Sequence, residues 1–293
     1  MTKPEILVKK HLEDTYLLVG KISKNELKNM NTVKGKSIDI QKDERENLQG
    51  LALQKSEEMN EMKSYFLSNI SHELRTPLNS VLILAKLLSE NKDKNLSDKQ
   101  AEYARVIHKS GNDLLVLIND ILDLSKIEAG KIELHPEQAS IQLIKSDLRS
   151  LFTEVANERE IDFEIENHSE LPESIYTDKV RLEQIIKNLL GNAFKFTPAK
   201  GKIILRIKRP NKGTLFSNAS LRGQKDIIEF SVSDTGIGIP SEKQALIFEA
   251  FQQADGSTSR KYGGTGLGLS ISKMLVSMLG GEMQLISDQN VGS

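Results

Sequence analysis

Residues 65–88 read YFLSNISHELRTPLNSVLILAKLL, and their apolar positions recur at intervals of three and four residues. That period is typical of an amphipathic helix with one apolar stripe. A second such helix is predicted from a capping box at Ser97 and Gln100 to about Ala129, with Gly130 placed to end it. Two long helices with a short connection predict an antiparallel hairpin. Because the apolar faces are too extensive for one hairpin, we expect a homodimer that closes a four-helix bundle.

The chain beyond Pro136 changes to alternating helix and strand patterns. Strands are predicted at 161–165, 203–207, 228–232 and 282–287, and helices at 143–157, 181–194 and 269–279. The predicted fold class is therefore α+β and multidomain. It combines the helical hairpin of a dimeric four-helix bundle with a following α/β sandwich, in which a mixed sheet is layered with helices.

The same patterns suggest domain boundaries. Residues 41–64 are polar and helix-prone and are predicted to form a helical connector. The hairpin domain is predicted to cover 65–133 and the α/β domain 134–293. Residues 1–40 carry no motif and are left unassigned.

The composition excludes several classes of protein. Forty basic residues oppose forty-one acidic ones, and the net charge of −1 provides no electrostatic footprint for nucleic acid. Without cysteine there is no disulfide framework, zinc thiolate site or cysteine nucleophile. The apolar runs are far shorter than the roughly 18 residues of a bilayer span. No membrane segment is therefore expected in this chain.

A row of polar residues shares the face of the first helix opposite its apolar stripe. Its members are Ser68, His72, Arg75, Thr76 and Asn79. His72 is therefore expected to point into solvent. Pro77, one turn later, removes a backbone donor and should bend the helix. Taken alone, an exposed histidine is usually an ordinary surface residue.

Two motifs in the second domain suit a nucleotide and a metal ion. Asn188, Asn192 and Lys195 recur on one helix face, where amide oxygens and an ammonium group suit Mg²⁺ and phosphate, although such a row is often only a solvated face. Asp234 follows a predicted strand, where a carboxylate can accept the adenine amino hydrogen. Gly236 and Gly238 would let the backbone approach the base closely.

A glycine-rich run, residues 263–269, opens the last predicted helix. Free backbone N–H groups and the helix dipole would face phosphates there. The run lacks the Gly-Lys-Ser/Thr of a Walker A loop, and no strand precedes it as a dinucleotide fingerprint requires. The polar stretch 252–262 before it is predicted to be a mobile lid. Arg260 or Lys261 would meet the γ-phosphate, or both are plain solvated charges.

Together these motifs resemble those of sensor histidine kinases. Residues 71–79 match the phosphoacceptor box and residues 188–197 the asparagine box, and phenylalanine and glycine boxes follow in the order of that family. The resemblance covers about residues 60–293 and is closest to kinases of hybrid or multidomain bacterial receptors. It implies a dimerisation and histidine-phosphotransfer domain, followed by an ATP-binding domain of the superfamily that includes gyrase.

The resemblance also implies the reaction and its residues. His72, assisted by Glu73, would accept the γ-phosphoryl group of ATP in the cytoplasm and pass it to an aspartate of a response-regulator receiver domain. Thr76 would act in a phosphatase reaction on that receiver. ATP would be bound by Asn188, Asn192, Lys195, Phe196, Asp234, Gly236, Gly238, Thr265, Gly266, Leu267 and Gly268. Mg²⁺ would be held by Asn192 and Asn188.

Two alternatives stay open. Members of this family usually continue past the equivalent of residues 291–293 into one more strand, so the ATP-binding domain is expected to lack its last strand and to expose a sheet edge. The chain would then be a dimeric signal-relay scaffold with weakened ATP binding. Separately, the unassigned residues 1–40 would be the remnant of an upstream sensor region. The same residues would also serve a protein whose dominant activity is phosphatase action.

Overall fold

The computed structural model describes residues 7–10, 16–19, 54–55, 58–59, 62, 65–67 and 69–293, except 168–170, 212, 225 and 253–264. The chain forms two compact units, Met1–Glu61 and Met62–Ser293. In the first unit, β1 (Leu7–Lys10) pairs antiparallel with β2 (Tyr16–Val19). Of the predicted connector, residues 54–55, 58–59 and 62 are helical, and its other residues lie outside the described part of the chain.

The second unit begins with a helical hairpin, in which α1 covers residues 69–90 and α2 covers Asp98–Glu128. The predicted capping box is confirmed. The Ser97 hydroxyl accepts from the Gln100 N–H, and the Gln100 side-chain oxygen accepts from the Ser97 N–H at 2.9 Å. Gly130, just past the end of α2, has a φ of +64°, which a residue without a β-carbon adopts at least cost.

The two helices pack along one face of each. Arg75 donates to Asn119 across the hairpin at 3.0 Å, and Gly111 lies against Leu82. The buried apolar residues of the hairpin are Leu82, Ala85, Ala101, Ala104, Leu122 and Leu124. The apolar stripe predicted on the first helix is only partly buried within the chain. Its exposed members are Phe66, Ile70, Leu74, Val81 and Leu88.

The rest of the unit is the α/β part. Its elements are β3 (Glu137–Ser140), α3 (Ile141–Glu158), β4 (Asp162–Asn167), β5 (Ser174–Thr177), α4 (Lys179–Phe196), β6 (Lys202–Lys208), β7 (Glu229–Asp234) and α5 (Gly268–Met278). The main sheet has the order β4-β6-β7, with β4 parallel and β7 antiparallel to β6. The strands β3 and β5 form a separate antiparallel pair. The predicted mixed sheet layered with helices is confirmed.

One predicted strand was wrong. Residues 282–287 do not form a strand in the structure. Instead, Glu282 accepts the backbone N–H of Asn218 at 2.6 Å, and Gln284 donates to the carbonyl of Leu215 at 3.0 Å. Side chains therefore attach this segment to the loop between β6 and β7, a contact that alternating hydrophobicity does not reveal.

The core lies between the sheet and the helices α3 and α4. On β6, the side chains Ile203, Leu205 and Ile207 are all fully buried, as the period of two for a half-buried strand predicts. Phe194 stacks on Phe152 with ring centroids 5.2 Å apart. This packing fixes α4, the helix that carries the asparagine row, against the sheet.

We expect Leu148→Ala to destabilise this core. Leu148 is 0% exposed on α3, and truncation leaves a cavity that costs about 3 kcal/mol of unfolding free energy. Leu143 on the same helix is 58% exposed, so Leu143→Ala is the matched control and should have little effect. Chemical denaturation followed by circular dichroism measures both. Equal losses of stability in the two variants would contradict this account of the core.

Candidate functional site

The predicted phosphoacceptor lies on α1. His72, Glu73 and Thr76 are all exposed, so the imidazole is open to solvent, as the helical spacing predicts. The Thr76 hydroxyl donates to the backbone carbonyl of His72 at 3.3 Å. Thr76 therefore packs directly above the histidine backbone, on the same face of the helix.

The asparagine row lies on α4, which is capped by Asp178 through the N–H of Arg181 at 3.0 Å. The Asn188 amide donates to the Ser272 hydroxyl on α5 at 2.9 Å. Its oxygen lies so close to Gly268 that a β-carbon there would overlap it. Asn188 therefore links the start of α5 to α4. The sequence did not predict this structural contact.

Asn192 and Lys195 follow Asn188 along the same helix, and both are half-buried. Burial lowers the pKa of the Lys195 ammonium group from its usual value. The ammonium nitrogen lies 4.8 Å from the centre of the Phe196 ring. A partly desolvated cation interacts more strongly with an anion than a fully hydrated one, which suits a phosphate-binding role.

Asp234 ends β7, where the predicted adenine contact lies. Its Oδ1 accepts the N–H of Gly236 at 2.8 Å. A β-carbon at Gly236 would lie 2.6 Å from that oxygen and 2.7 Å from the carbonyl of Phe196, so only glycine fits. Burial raises the pKa of the Asp234 carboxyl, while hydrogen bonds from Gly236 and Ser293 act in the opposite direction. The end of β7 and the end of α4 thus meet at one place.

The glycine-rich turn before α5 is held from two sides. The Thr265 hydroxyl accepts the N–H of Leu267 at 3.1 Å and donates to Asp120 on α2 at 2.9 Å. Gly266 has a φ of +70°, and its carbonyl accepts the N–H of Phe251 at 3.1 Å. Burial raises the pKa of the Asp120 carboxyl, although the bond from Thr265 opposes this.

The start of α5 has the properties of an anion site. The N-cap residue of this helix is Leu267, whose apolar side chain forms no capping hydrogen bond with the N–H groups of the first turn. Such groups, together with the helix dipole, bind phosphate. Leu267 is fully buried with Ile271 and Leu275, so of the predicted ATP contacts it can supply only its backbone.

The predicted site residues therefore fall into two groups. Those of α4, β7 and the α5 turn come together through the contacts of Asn188 with Gly268 and of Gly236 with Phe196. His72 takes part in neither of these contacts and lies on α1. The predicted lid residues Arg260 and Lys261 lie outside the described residues. Sequence reasoning missed Asp120 and Ser272, which contact the motifs but are remote from them along the chain.

The donor set fits a nucleotide with Mg²⁺. Among the described residues, no group of three or more histidines and carboxylates could hold a metal ion by itself. Mg²⁺ keeps most of its water and binds through few protein oxygens plus substrate phosphates. The amide oxygen of Asn192, one turn after Asn188 on α4, is consistent with that kind of site.

Comparison with known proteins points to two family domains. Residues 62–130 match the His Kinase A phospho-acceptor domain, and residues 177–293 match the histidine kinase-, DNA gyrase B- and HSP90-like ATPases. None of the helices in the described part of the chain is long and apolar enough to cross a membrane.

Individual relatives agree with these matches. The chain is 39% identical over 243 residues to the signal transduction histidine-protein kinase BarA of Escherichia coli K12, and 38% identical over 273 residues to Histidine kinase 2 of Arabidopsis thaliana. These alignments cover 83% and 79% of this chain but 25% and 23% of the relatives, so the chain spans about a quarter of their length. The crystal structure of full-length ShkA in complex with AMPPNP is similar at a TM-score of 0.57 and 34% identity, over 77% of this chain and 43% of that one.

Proposed function

Because the chain belongs to the sensor histidine kinases of two-component signalling, with an ATP-binding domain, we propose that it transfers the γ-phosphoryl group of ATP to His72. The observation that carries this proposal is the pairing of an exposed histidine on α1 with an uncapped helix start beside the asparagine row. The first is an acceptor open to solvent, and the second is a phosphate site. The reaction is proposed to take place in the cytoplasm, where ATP is available.

The chemistry follows from the state of the imidazole. A neutral ring nitrogen of His72 attacks the γ-phosphorus, a P–N bond forms, and the bond to the β–γ bridging oxygen breaks, with its electron pair leaving on ADP. The ring then carries a positive charge until its other N–H loses a proton. Glu73, the next residue on α1, would stabilise that charge and accept the proton.

The second domain would position the nucleotide. Asp234 would accept the adenine amino hydrogen, Lys195 would neutralise phosphate charge, and the start of α5 would bind phosphate oxygens through its N–H groups. Mg²⁺ would be held by the amide oxygens of Asn192 and Asn188, since the contact of Asn188 with Ser272 uses only its NH₂ group. When bound, Mg²⁺ offsets the charge that develops on the transferring phosphate.

Onward transfer would deliver the phosphoryl group to an aspartate of a receiver domain. Ile83 and Leu87 are exposed and lie at helical spacing from His72 and Thr76, on the same face of α1. An apolar patch on the helix face of the acceptor, about 16 Å from it along the axis, suits the docking of a protein partner. Thr76 would then orient a water molecule for dephosphorylation of the receiver.

Incubation of the purified chain with γ-labelled ATP and Mg²⁺, followed by addition of a panel of receiver domains, tests the proposal. We expect acid-labile label on the chain, which is the stability of a phosphohistidine, and rapid loss of that label to a subset of receivers. No label on the chain in the presence of bound ATP would overturn the proposed reaction.

Dimerisation is proposed to use the exposed stripe of the hairpin, and one pair of variants tests it. Leu84 and Ile83 are each 61% exposed, but Leu84 shares its face with Leu88 and Ile83 shares its face with His72. We expect Leu84→Glu to shift the chain from dimer to monomer, because the charge would be buried without a partner. Ile83→Glu should stay dimeric. Sedimentation velocity distinguishes the two, and a dimeric Leu84→Glu would contradict the proposed interface.

A further inference from the structure

Two aspartates on α2 contact the ATP-binding domain. Asp120 accepts the Thr265 hydroxyl at 2.9 Å, in the glycine-rich turn. Asp123, nearly one helical turn later, accepts the Gln184 amide of α4 at 2.7 Å and lies 3.5 Å from the Arg181 guanidinium. The two contacts reach different elements of the same domain, and the proposed reaction uses neither carboxylate.

The hairpin register relates these contacts to the phosphoacceptor. Arg75 on α1 bonds to Asn119 on α2, and the two helices run in opposite directions. His72 precedes Arg75 by three residues, and Leu122 follows Asn119 by three. Because the helices are antiparallel, His72 and Leu122 lie at the same level along the hairpin axis. At about 1.5 Å of rise per residue, both aspartates lie within about 3 Å of the level of His72 along the hairpin axis.

Apolar packing joins the same surfaces. Leu124 of α2 is buried with Ile185 of α4 and with Leu267, Ile271 and Leu275 in and before α5. Apolar contact is non-directional and tolerates sliding along the helix, whereas a hydrogen bond loses most of its strength when its distance or angle changes. The aspartate contacts therefore fix the position of the ATP-binding domain along the hairpin axis. The start of α5 is three residues after Thr265, so these contacts also fix the position of the proposed phosphate site along the hairpin axis.

We propose that Asp120 and Asp123 are positioning residues for phosphoryl transfer, which hold the ATP-binding domain at the level of His72 on the hairpin. The inference rests on the proposed transfer from ATP to His72. Two contacts on different elements, the glycine-rich turn and α4, restrict both sliding along α2 and rotation about it. Small displacements of reacting groups are costly, since a misplacement of about 1 Å can reduce a rate by about a hundredfold.

The test is the rate of His72 labelling at saturating Mg²⁺-ATP. We expect Asp120→Ala and Asp123→Ala each to lower kcat by about tenfold or more, with KM for ATP nearly unchanged, because positioning acts on the transferred group and not on nucleotide binding. Asp120→Asn keeps an oxygen that can accept from Thr265 and should recover most of the rate. Asp113→Ala removes an exposed carboxylate from the same helix and serves as the control for charge and helix propensity.

Circular dichroism and calorimetric binding of AMPPNP show whether each variant is folded and binds nucleotide. A variant rate equal to that of Asp113→Ala overturns the positioning role. A faster rate also overturns it, because the contacts would then hold the domain away from His72. A raised KM for ATP with unchanged kcat also overturns the positioning role, because the aspartates would then act on nucleotide binding. Absence of label on wild-type His72 would instead overturn the proposed function, so the two failures are distinguishable.

Discussion

Replacement of His72 by alanine is expected to abolish phosphoryl incorporation from γ-labelled ATP, by at least about a thousandfold, because no other nucleophile occupies the acceptor position. Nucleotide binding should be unchanged, since the proposed nucleotide contacts are on α4, β7 and the glycine-rich turn, whereas His72 is on α1. Labelling after removal of free nucleotide measures the first effect, and calorimetry with AMPPNP measures the second.

His108 supplies the control for this result. It lies on α2 of the same hairpin, with its Nδ1 3.4 Å from the Asn112 amide, and it has no place in the proposed reaction. His108→Ala should be labelled as fast as the wild type. Acid-labile label that persists on His72→Ala would show that the acceptor is elsewhere and would overturn the assignment.

The second large effect is expected at Asp234, where Asp234→Asn should weaken ATP binding by at least about 30-fold. The amide keeps the shape of the side chain and an oxygen for the Gly236 N–H. Its NH₂ group, however, would face the adenine amino group, so a donor meets a donor in a half-buried site. A mispaired buried polar group costs about 2 kcal/mol or more, which corresponds to that loss of affinity.

Asp226→Asn is the matched control for Asp234→Asn. Its side chain is 95% exposed and pairs with Arg209 at 3.4 Å, so the same chemical change should leave nucleotide affinity unchanged. Calorimetry with AMPPNP and Mg²⁺ compares the two variants with the wild type. Unchanged affinity of Asp234→Asn would remove Asp234 from the adenine site. Lack of binding by the wild type itself would favour the dimeric signal-relay scaffold.

Local features of this protein were predictable because they depend on neighbours along the chain. The capping box of α2 needs only Ser97 and Gln100, which are three residues apart. The alternation of β6 and the exposure of His72 follow from the periods of a strand and a helix. The end of α2 at Gly130 is similarly local, since a glycine adopts the positive φ found there at little cost.

Contacts between distant segments were not predictable, because no periodicity links residues that only packing brings together. Asn188 is hydrogen-bonded to Ser272, 84 residues later in the chain, and Asp120 to Thr265, 145 residues later. Residues 282–287 were predicted to be a strand from their local pattern. In the structure, side-chain hydrogen bonds connect them to the loop after β6 instead. The sequence by itself determined the helices, the main strands and the chemical identity of the motifs. Only the tertiary structure determined which of them share a site and which residues of α2 hold that site against the hairpin.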